Sequence, residues 1–286
     1  MVSIAIFGSG GQVGPSIIKA VSGPIFSSKF SSIKVITSQD RSADSTDKVT
    51  YIKSDLDISL ADELKSTDVI VSVLPAKEEV LSKLEPIIEA IKPKFYIPSE
   101  FGCEIPKIPS DVLSPILTAK VDHNARVEAK GIKVVKISTS FFRIPPVFLY
   151  AFTDTIGISQ KDAVVKVVGD YDSKYVDFST ADDIGNAVAS IASTEPSKVL
   201  DTYRIRSGRI SLKEVVAKIE AEQGKKYEIK QVELEDEKAE LQKNLFNFPQ
   251  ALFVYFSLGE DKGIVFSGDE NELINPGQSL WKYNTW

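Results

Sequence analysis

Residues 8 to 14 read Gly8-Ser9-Gly10-Gly11-Gln12-Val13-Gly14, a composition suited to bringing backbone amides close to an anion. An apolar run ending at Phe7 precedes this segment and predicts a strand. Pro15 to Val21 follows it, with apolar spacing that predicts a helix and a proline where the first turn tolerates one. Strand, glycine turn and helix in that order are what a dinucleotide fingerprint requires. In such a site Gly8 permits the tight turn, Gly11 lets amides approach a pyrophosphate, and Gly14 lets the helix pack close to the strand with its amino end toward the anion. The G-x-G-x-x-G frame is not met, because the sixth position from Gly8 is Val13; the complete frame is Gly8-x-x-Gly11-x-x-Gly14. The chemistry expected here is the cradling of phosphates.

The choice of dinucleotide is made near the end of the second strand. NAD sites place an acid there on the ribose hydroxyls, whereas NADP sites place a basic or small polar group. The sequence is Thr37-Ser38-Gln39-Asp40-Arg41. No carboxylate stands at the strand tip, and Ser38 and Arg41 are placed to hold a 2′-phosphate by hydrogen bonding and a guanidinium fork. This favours NADP(H) over NAD(H), with Asp40 as the residue that would favour NAD(H).

These groups need a scaffold, and the chain from its start to about residue 140 alternates short β-rich runs with helical patterns, the signature of a parallel sheet wrapped by helices. After the first strand, further strands are predicted at Ser32 to Ser38, Val49 to Ser54, Asp68 to Leu74, Lys94 to Pro98 and Lys133 to Ser138. Their weak alternation suits strands covered on both faces. Helices are predicted at Ser59 to Ser66, Ala76 to Lys92 and Asp111 to Lys130. Beyond Phe142 the rhythm breaks at Arg143-Ile144-Pro145-Pro146. A strand follows at Val164 to Val168, a helix at Ser179 to Ser193, a strand at Thr202 to Arg206, a helix at Ser211 to Gln223 and a strand at Tyr227 to Val232. The charged run Glu233 to Lys243 predicts a solvated helix face. The expected fold is α/β, a Rossmann-type doubly wound parallel sheet over residues 1–142, to which residues of about 174–206 return, with a smaller substrate-binding lobe over 143–286.

Composition narrows the function. The chain has 286 residues, 43% of them hydrophobic and 26% charged, which is ordinary for a globular protein. Its formal charge of −6 offers no general attraction for nucleic acid or anionic membrane surfaces. The only cysteine, Cys103, and the only histidine, His123, make no metal-binding cluster, so no metal is expected. No window approaches the roughly 18 apolar residues of a membrane span and no basic signal-type leader is evident, so a cytoplasmic location is expected. The expected partner is a small-molecule substrate, and the expected assembly a monomer or homodimer.

Several stretches resemble one family. Lys94-Phe95-Tyr96-Ile97-Pro98-Ser99-Glu100-Phe101-Gly102 resembles the fifth-strand signature of the NmrA-like, isoflavone reductase-like family of atypical short-chain dehydrogenases, which includes the phenylcoumaran benzylic ether reductase type. Lys120, Arg126, Glu128, Gly131 and Ile132 look like that family's lysine helix and the strand after it. Ser179 to Gly185 resembles its later helix start, and Tyr203 to Ile210, with a helix closing near Gly224, its final strand and helix. Asn275-Pro276-Gly277 is similar to an element of fungal-type members. Asp122, His123 and Asn124 stand where the family is usually basic, and Ser140 where it commonly has asparagine.

The resemblance implies a cofactor site that also takes in Leu74, Pro75, Ser99, Glu100, Phe101 and Lys120, and it gives Lys120 the role of general acid or base beside a nicotinamide. A lysine has a reference pKa of about 10.4 and exchanges protons near neutrality only when desolvated or set beside another cation. The Tyr-x-x-x-Lys pair of ordinary short-chain dehydrogenases is absent, since Ile116 stands four residues before Lys120. That absence disfavours a sugar-nucleotide epimerase and leaves it a distant option. His123 reads as a satisfied or solvated helix residue and Cys103 as a small buried hydrophobe. Phe141, Phe142, Pro145, Pro146, Phe148, Leu149 and Tyr150 offer an aromatic pocket floor or lobe-to-lobe core. The resulting expectation is an NADPH-dependent reductase of a small aromatic or conjugated substrate. The alternative is a non-catalytic NADP-binding regulator that senses the nucleotide and binds a protein partner.

Overall fold

In the computed structural model, which describes residues 1–144, 147, 148 and 153–286, the first strands alternate in the face they bury. In β1 (Val2–Phe7), Ile4 and Ile6 join one apolar cluster while Ala5 and Phe7 join another on the opposite side. A strand can do this only when both faces of its sheet are covered. With β2 (Phe30–Thr37), β3 (Val49–Lys53), β4 (Val69–Ser72) and β5 (Phe95–Ile97) it forms a five-stranded, wholly parallel sheet in the order β3-β2-β1-β4-β5. The helices between them are α1 (Gly14–Ser22), the single turn α2 (Leu60–Glu63) and α3 (Glu78–Ile91). Then α4 (Pro115–Glu128) leads to β6 (Lys136–Ser138). The long helix expected from Asp111 starts only at Pro115, because Ser110–Val112 forms a 3-10 turn and Ser114 then adopts an extended backbone.

The sheet is extended by a bridge between Tyr96 and Val134, beside the start of β6. After β7 (Phe141–Ile144), β8 (Val147–Phe148), β9 (Ile158–Ser159), β10 (Val164–Val167) and β11 (Tyr175–Ser179), the chain forms α5 (Ala181–Ala192) and then β12 (Thr202–Arg204), which pairs parallel with β6. Ser179, expected in a helix, instead ends β11, and the helix is capped by Thr180, whose hydroxyl accepts from the Asp183 amide at 3.3 Å. Gly185 of α5 lies so close to α1 that an added Cβ would stand 2.4 Å from the Ser16 carbonyl oxygen. That contact closes the face of the sheet built on Ile17, Val21, Ile184 and Val188.

A third apolar cluster forms apart from the parallel sheet, around Val165, Phe178, Leu252 and Phe256. It gathers β13 (Gly208–Ser211), α6 (Leu212–Gln223), β14 (Glu228–Gln231), α7 (Leu234–Gln242), α8 (Phe248–Ser257) and the short α9 (Asn271–Ile274). Ser211 and Glu214 cap α6 reciprocally, and Gly224 ends it in a left-handed conformation. The charged α7 has the solvated face expected of it, with Glu235, Asp236, Glu240 and Lys243 exposed, and buries its other side. Its Leu241 is fully buried, and Glu237 is buried against Lys166 at 3.0 Å and Gln250 at 2.7 Å. Helix α8 carries buried residues all round from Ala251 to Ser257, as a helix enclosed by its own protein must.

The α1–α5 contact makes Gly185→Ala a test of this architecture. The methyl group must push against backbone, so we expect a loss of about 1–3 kcal/mol, read as a lower urea midpoint at unchanged slope. An unchanged midpoint would mean that the two helices pack more loosely than described.

Candidate active site

Strand order reverses at β1, whose neighbours β2 and β4 carry chain connections to opposite sides. Open α/β sheets bind ligands in the crevice at such a point, beyond the carboxyl ends of the strands. Here that crevice is a cleft of about 1240 Å³. Gly8, Ser9, Gly10 and Gly11 form one wall, Thr37, Ser38 and Gln39 a second, and Val73, Leu74, Pro75 and Ala76 a third. Gly8 holds φ +104°, and a Cβ there would meet Val73 Cγ2 at 2.9 Å, so this turn requires glycine. A Cβ on Gly10 or Gly11 would meet no protein atom within 4 Å, which leaves the backbone bare toward the cleft. Gly14 packs instead on Gly8 and Ser9 backbone at 3.3 Å. Bare amides at the amino end of α1, in a cleft of this size, fit a dinucleotide.

The expected site residues divide. Leu74, Pro75, Ser38, Ser99 and Lys120 line the cleft with Gly8 to Gly11. Gln12 is exposed, Val13 is buried just before α1, and neither they nor Gly14 line it. Arg41 also lies off the cleft wall. Its Nε donates to Asp44 at 2.7 Å, and its guanidinium lies 4.6 Å from the centre of the Tyr51 ring. Asp40 is likewise engaged, accepting from the Ser42 amide at 3.0 Å and hydroxyl at 2.8 Å, bonds that hold its carboxyl below the usual range. Sequence reasoning missed the contribution of Ser54, Asp55 and Leu56 to the cleft. The signal available was their position just past the third strand, on the same carboxyl edge as the glycine turn.

Ser99, Glu100 and Phe101 leave β5 in three directions. Ser99 faces the cleft, while Phe101 lines a separate apolar cavity of about 70 Å³. Glu100 is 4% exposed and accepts a hydrogen bond from Asn124 Nδ2. Burial pushes its carboxyl above the usual range, against the pull of Asn124 and Lys120. Lys120 is half-buried, and burial draws its ammonium below the ordinary lysine value, with Cys103 and Glu100 opposing. Among the described residues its ammonium forms no ion pair or hydrogen bond.

The apolar cavity is walled by Phe101, Cys103, Leu117, Phe141 and Phe142, and by Phe248 and Leu252 of α8, with Lys120 as the charged residue on its described wall. No sequence signal tied α8 to this place, because its contacts lie more than a hundred residues away along the chain. Pro145, Pro146, Leu149 and Tyr150, candidates for the same floor, lie outside the described residues, as does the Phe148 side chain. Cys103 is buried, and burial pushes its thiol up to about 12. His123 is buried and satisfied, with Nδ1 2.8 Å from Glu85 and Nε2 3.0 Å from the Tyr96 hydroxyl.

Fold and cleft together define a Rossmann-type protein with its crevice at the reversal of strand order. The sequence profile of the NmrA-like family matches residues 2–265, and the chain belongs to that family. Among solved structures it is similar to an isoflavone reductase, at 21% identity and a TM-score of 0.63 over 88% of this chain and 86% of that one. It is also similar to a structure from the pinoresinol-lariciresinol and phenylcoumaran benzylic ether reductases, at 22% identity and a TM-score of 0.66 over 89% and 87%. A third is the leucoanthocyanidin reductase of Vitis vinifera in binary complex with NADPH, at 16% identity and a TM-score of 0.65 over 90% and 86%. At these identities the likeness is one of fold. No curated protein matches the chain. Among the described residues no helix is long and apolar enough to cross a membrane.

The environment of Cys103 predicts an inert thiol. We expect no alkylation by iodoacetamide at about pH 8 in the native protein and full reaction in denaturant, followed by mass spectrometry. Rapid labelling of the native chain would show that the cavity wall opens.

Proposed function

We propose that the protein is an NAD(P)H-dependent reductase of a small apolar substrate, aromatic or conjugated, with Lys120 as the group that exchanges a proton with it. One observation carries the reading: Lys120 lines both the nucleotide cleft and the apolar cavity. A reduced nicotinamide bound in the cleft supplies a hydride. The chain's own contribution is position and proton. The amides of Ser9 to Gly11 and the amino end of α1 hold the pyrophosphate, and Ser99 and Leu74 line the cleft on the side of Lys120. The phenyl rings of Phe101, Phe141 and Phe248 exclude water from the place where the substrate reacts and offer a surface on which a flat ring packs. A lysine in such a place loses its proton more readily than one in water, which suits a donor working near neutrality.

The preference for NADP(H) is part of the same proposal. The wall at the end of β2 is formed by Thr37, Ser38 and Gln39, without a carboxylate, while Asp40 is held by Ser42. This supports room for a 2′-phosphate beside Ser38. Arg41 reaches that phosphate only by leaving Asp44, an exposed pair whose release costs little.

Calorimetric titration with NADPH and NADH is expected to show tighter binding of NADPH. Stronger binding of NADH would overturn the phosphate assignment. For Lys120→Ala, tested on enones and phenylpropanoid ethers, we expect turnover to fall about a hundredfold or more with NADPH affinity changed only a few-fold. Turnover equal to the unmodified protein would remove Lys120 from the chemistry and favour a nucleotide-sensing role. Because burial lowers the Lys120 pKa from 10.5, the donor form is present at lower pH and lost as pH rises, so kcat is expected to decline on an alkaline limb below that value.

A further inference from the structure

The reading above leaves Tyr96, His123 and Asn124 without a part, yet they surround a third space that Lys120 also lines. This is a cavity of about 10 Å³ beneath the cleft, its polar wall formed by Tyr96, Ser99, Lys120, His123 and Asn124. That is about the room one water needs, and a buried water needs two to four polar partners. Asn124 supplies the firmest of them. It is 3% exposed, its Nδ2 is committed to Glu100, and its Oδ1 has no hydrogen-bond partner in the protein. Buried amide oxygens are rarely left in that condition.

The remaining wall is held rigidly. His123 is 2% exposed, with Nδ1 2.8 Å from Glu85 and Nε2 3.0 Å from the Tyr96 hydroxyl. Glu85 also receives Arg126 Nε at 3.0 Å, so it is an anion and Nδ1 carries the proton toward it. Nε2 is then an acceptor, and the Tyr96 hydroxyl donates to it. This leaves Tyr96 with oxygen lone pairs, not a proton, for its other partners, of which the Ser72 hydroxyl is one. The wall therefore presents two acceptors, Asn124 Oδ1 and Tyr96 Oη, with donors at Lys120 and Ser99.

We propose that this cavity is an ordered-water site, the water donating to Asn124 Oδ1 and to Tyr96 and accepting from Lys120 Nζ. In this chain the water does for Lys120 what the tyrosine of a Tyr-x-x-x-Lys pair cannot, because Ile116 stands in its place. It gives the ammonium a fixed partner and so sets where Nζ points between the cleft and the apolar cavity. Asn124 and Tyr96 are positioning residues, and the Glu85–His123 pair orients Tyr96. The functional half of this inference rests on Lys120 acting as proposed above; the water site itself does not.

The test begins with a high-resolution crystal structure of the full chain. A density peak within hydrogen-bond reach of Asn124 Oδ1, Tyr96 Oη and Lys120 Nζ is expected, and a cavity closed by a side chain or lacking such a peak overturns the proposal. The variant Asn124→Leu should lose the peak and lower kcat about tenfold, with KM and NADPH affinity within about twofold and an unchanged fold by circular dichroism. Tyr96→Phe should do the same, which guards against a folding defect peculiar to either variant. If the peak is present in the unmodified protein and both variants turn over normally, the positioning role is wrong. If Lys120→Ala itself turns over normally, it is the reading of Lys120 that fails, and the crystallographic peak still decides the water site.

Discussion

The reversal of strand order at β1 is the constraint on which the rest of this protein depends. Because β2 and β4 flank β1 and their connections cover opposite faces, the backbone leaving β1 and the backbone leaving β4 separate and cannot fill the space between them. The crevice this opens is where Gly8 to Gly11 and Val73 to Ala76 face each other. Its integrity rests on packing at a distance from it. Gly185 lets α5 settle against the backbone of α1, which holds the amino end of α1 at the rim.

Electrostatics around Lys120 follow from the same geometry. Helix α4 carries the lysine under the cleft, into a region where Glu100 and Cys103 are already buried. Burial disfavours the charged form of all three: it raises the carboxyl of Glu100 and the thiol of Cys103 and lowers the ammonium of Lys120. Asn124 ties Glu100 in place by donating to it, so the carboxylate that partly offsets the lysine's desolvation cannot swing away. Nearby, Glu85 makes the opposite arrangement. Burial acts to raise its pKa, but Arg126 and His123 hold it low, so the two carboxyl groups near α4 are shifted in opposite directions.

The region around β11, β13 and α8 contributes shape more than charge to this place. Its own charge is spent internally, most visibly at Asp177, which is fully buried and held by Arg209 at 2.7 Å and Arg206 at 3.0 Å, with the Phe266 amide at 2.8 Å. A buried carboxylate paired in this way costs little only when every oxygen is satisfied. The seam along β11 and β13 is thereby satisfied, and α8 presents Phe248 and Leu252 to the cavity that Lys120 also lines.

By itself the sequence determined the strands, the glycine turn and the helices near it, because those are set by interactions within a few residues. The alternation of Ile4 and Ile6 with Ala5 and Phe7, the missing side chain at Gly8 and the reciprocal cap of Ser211 and Glu214 are all local. The likeness in Pro98 to Gly102 and the lysine on its helix were legible in the same way. What only the tertiary structure decided are the partners of residues far apart in the chain. Ser99, Glu100 and Phe101 are adjacent, yet one faces the cleft, one is buried on Asn124 and one enters the apolar cavity, since the chain turns sharply beyond β5. Arg41 was placed as a phosphate ligand by spacing, and the fold pairs it with Asp44 and lays it on Tyr51, beside and not among the residues that line the cleft. His123 gained Glu85 and Tyr96 from two other elements, and α8 reached the cavity wall from the far end of the chain. Periodicity records which face of an element is apolar; it carries no record of which other element that face will meet.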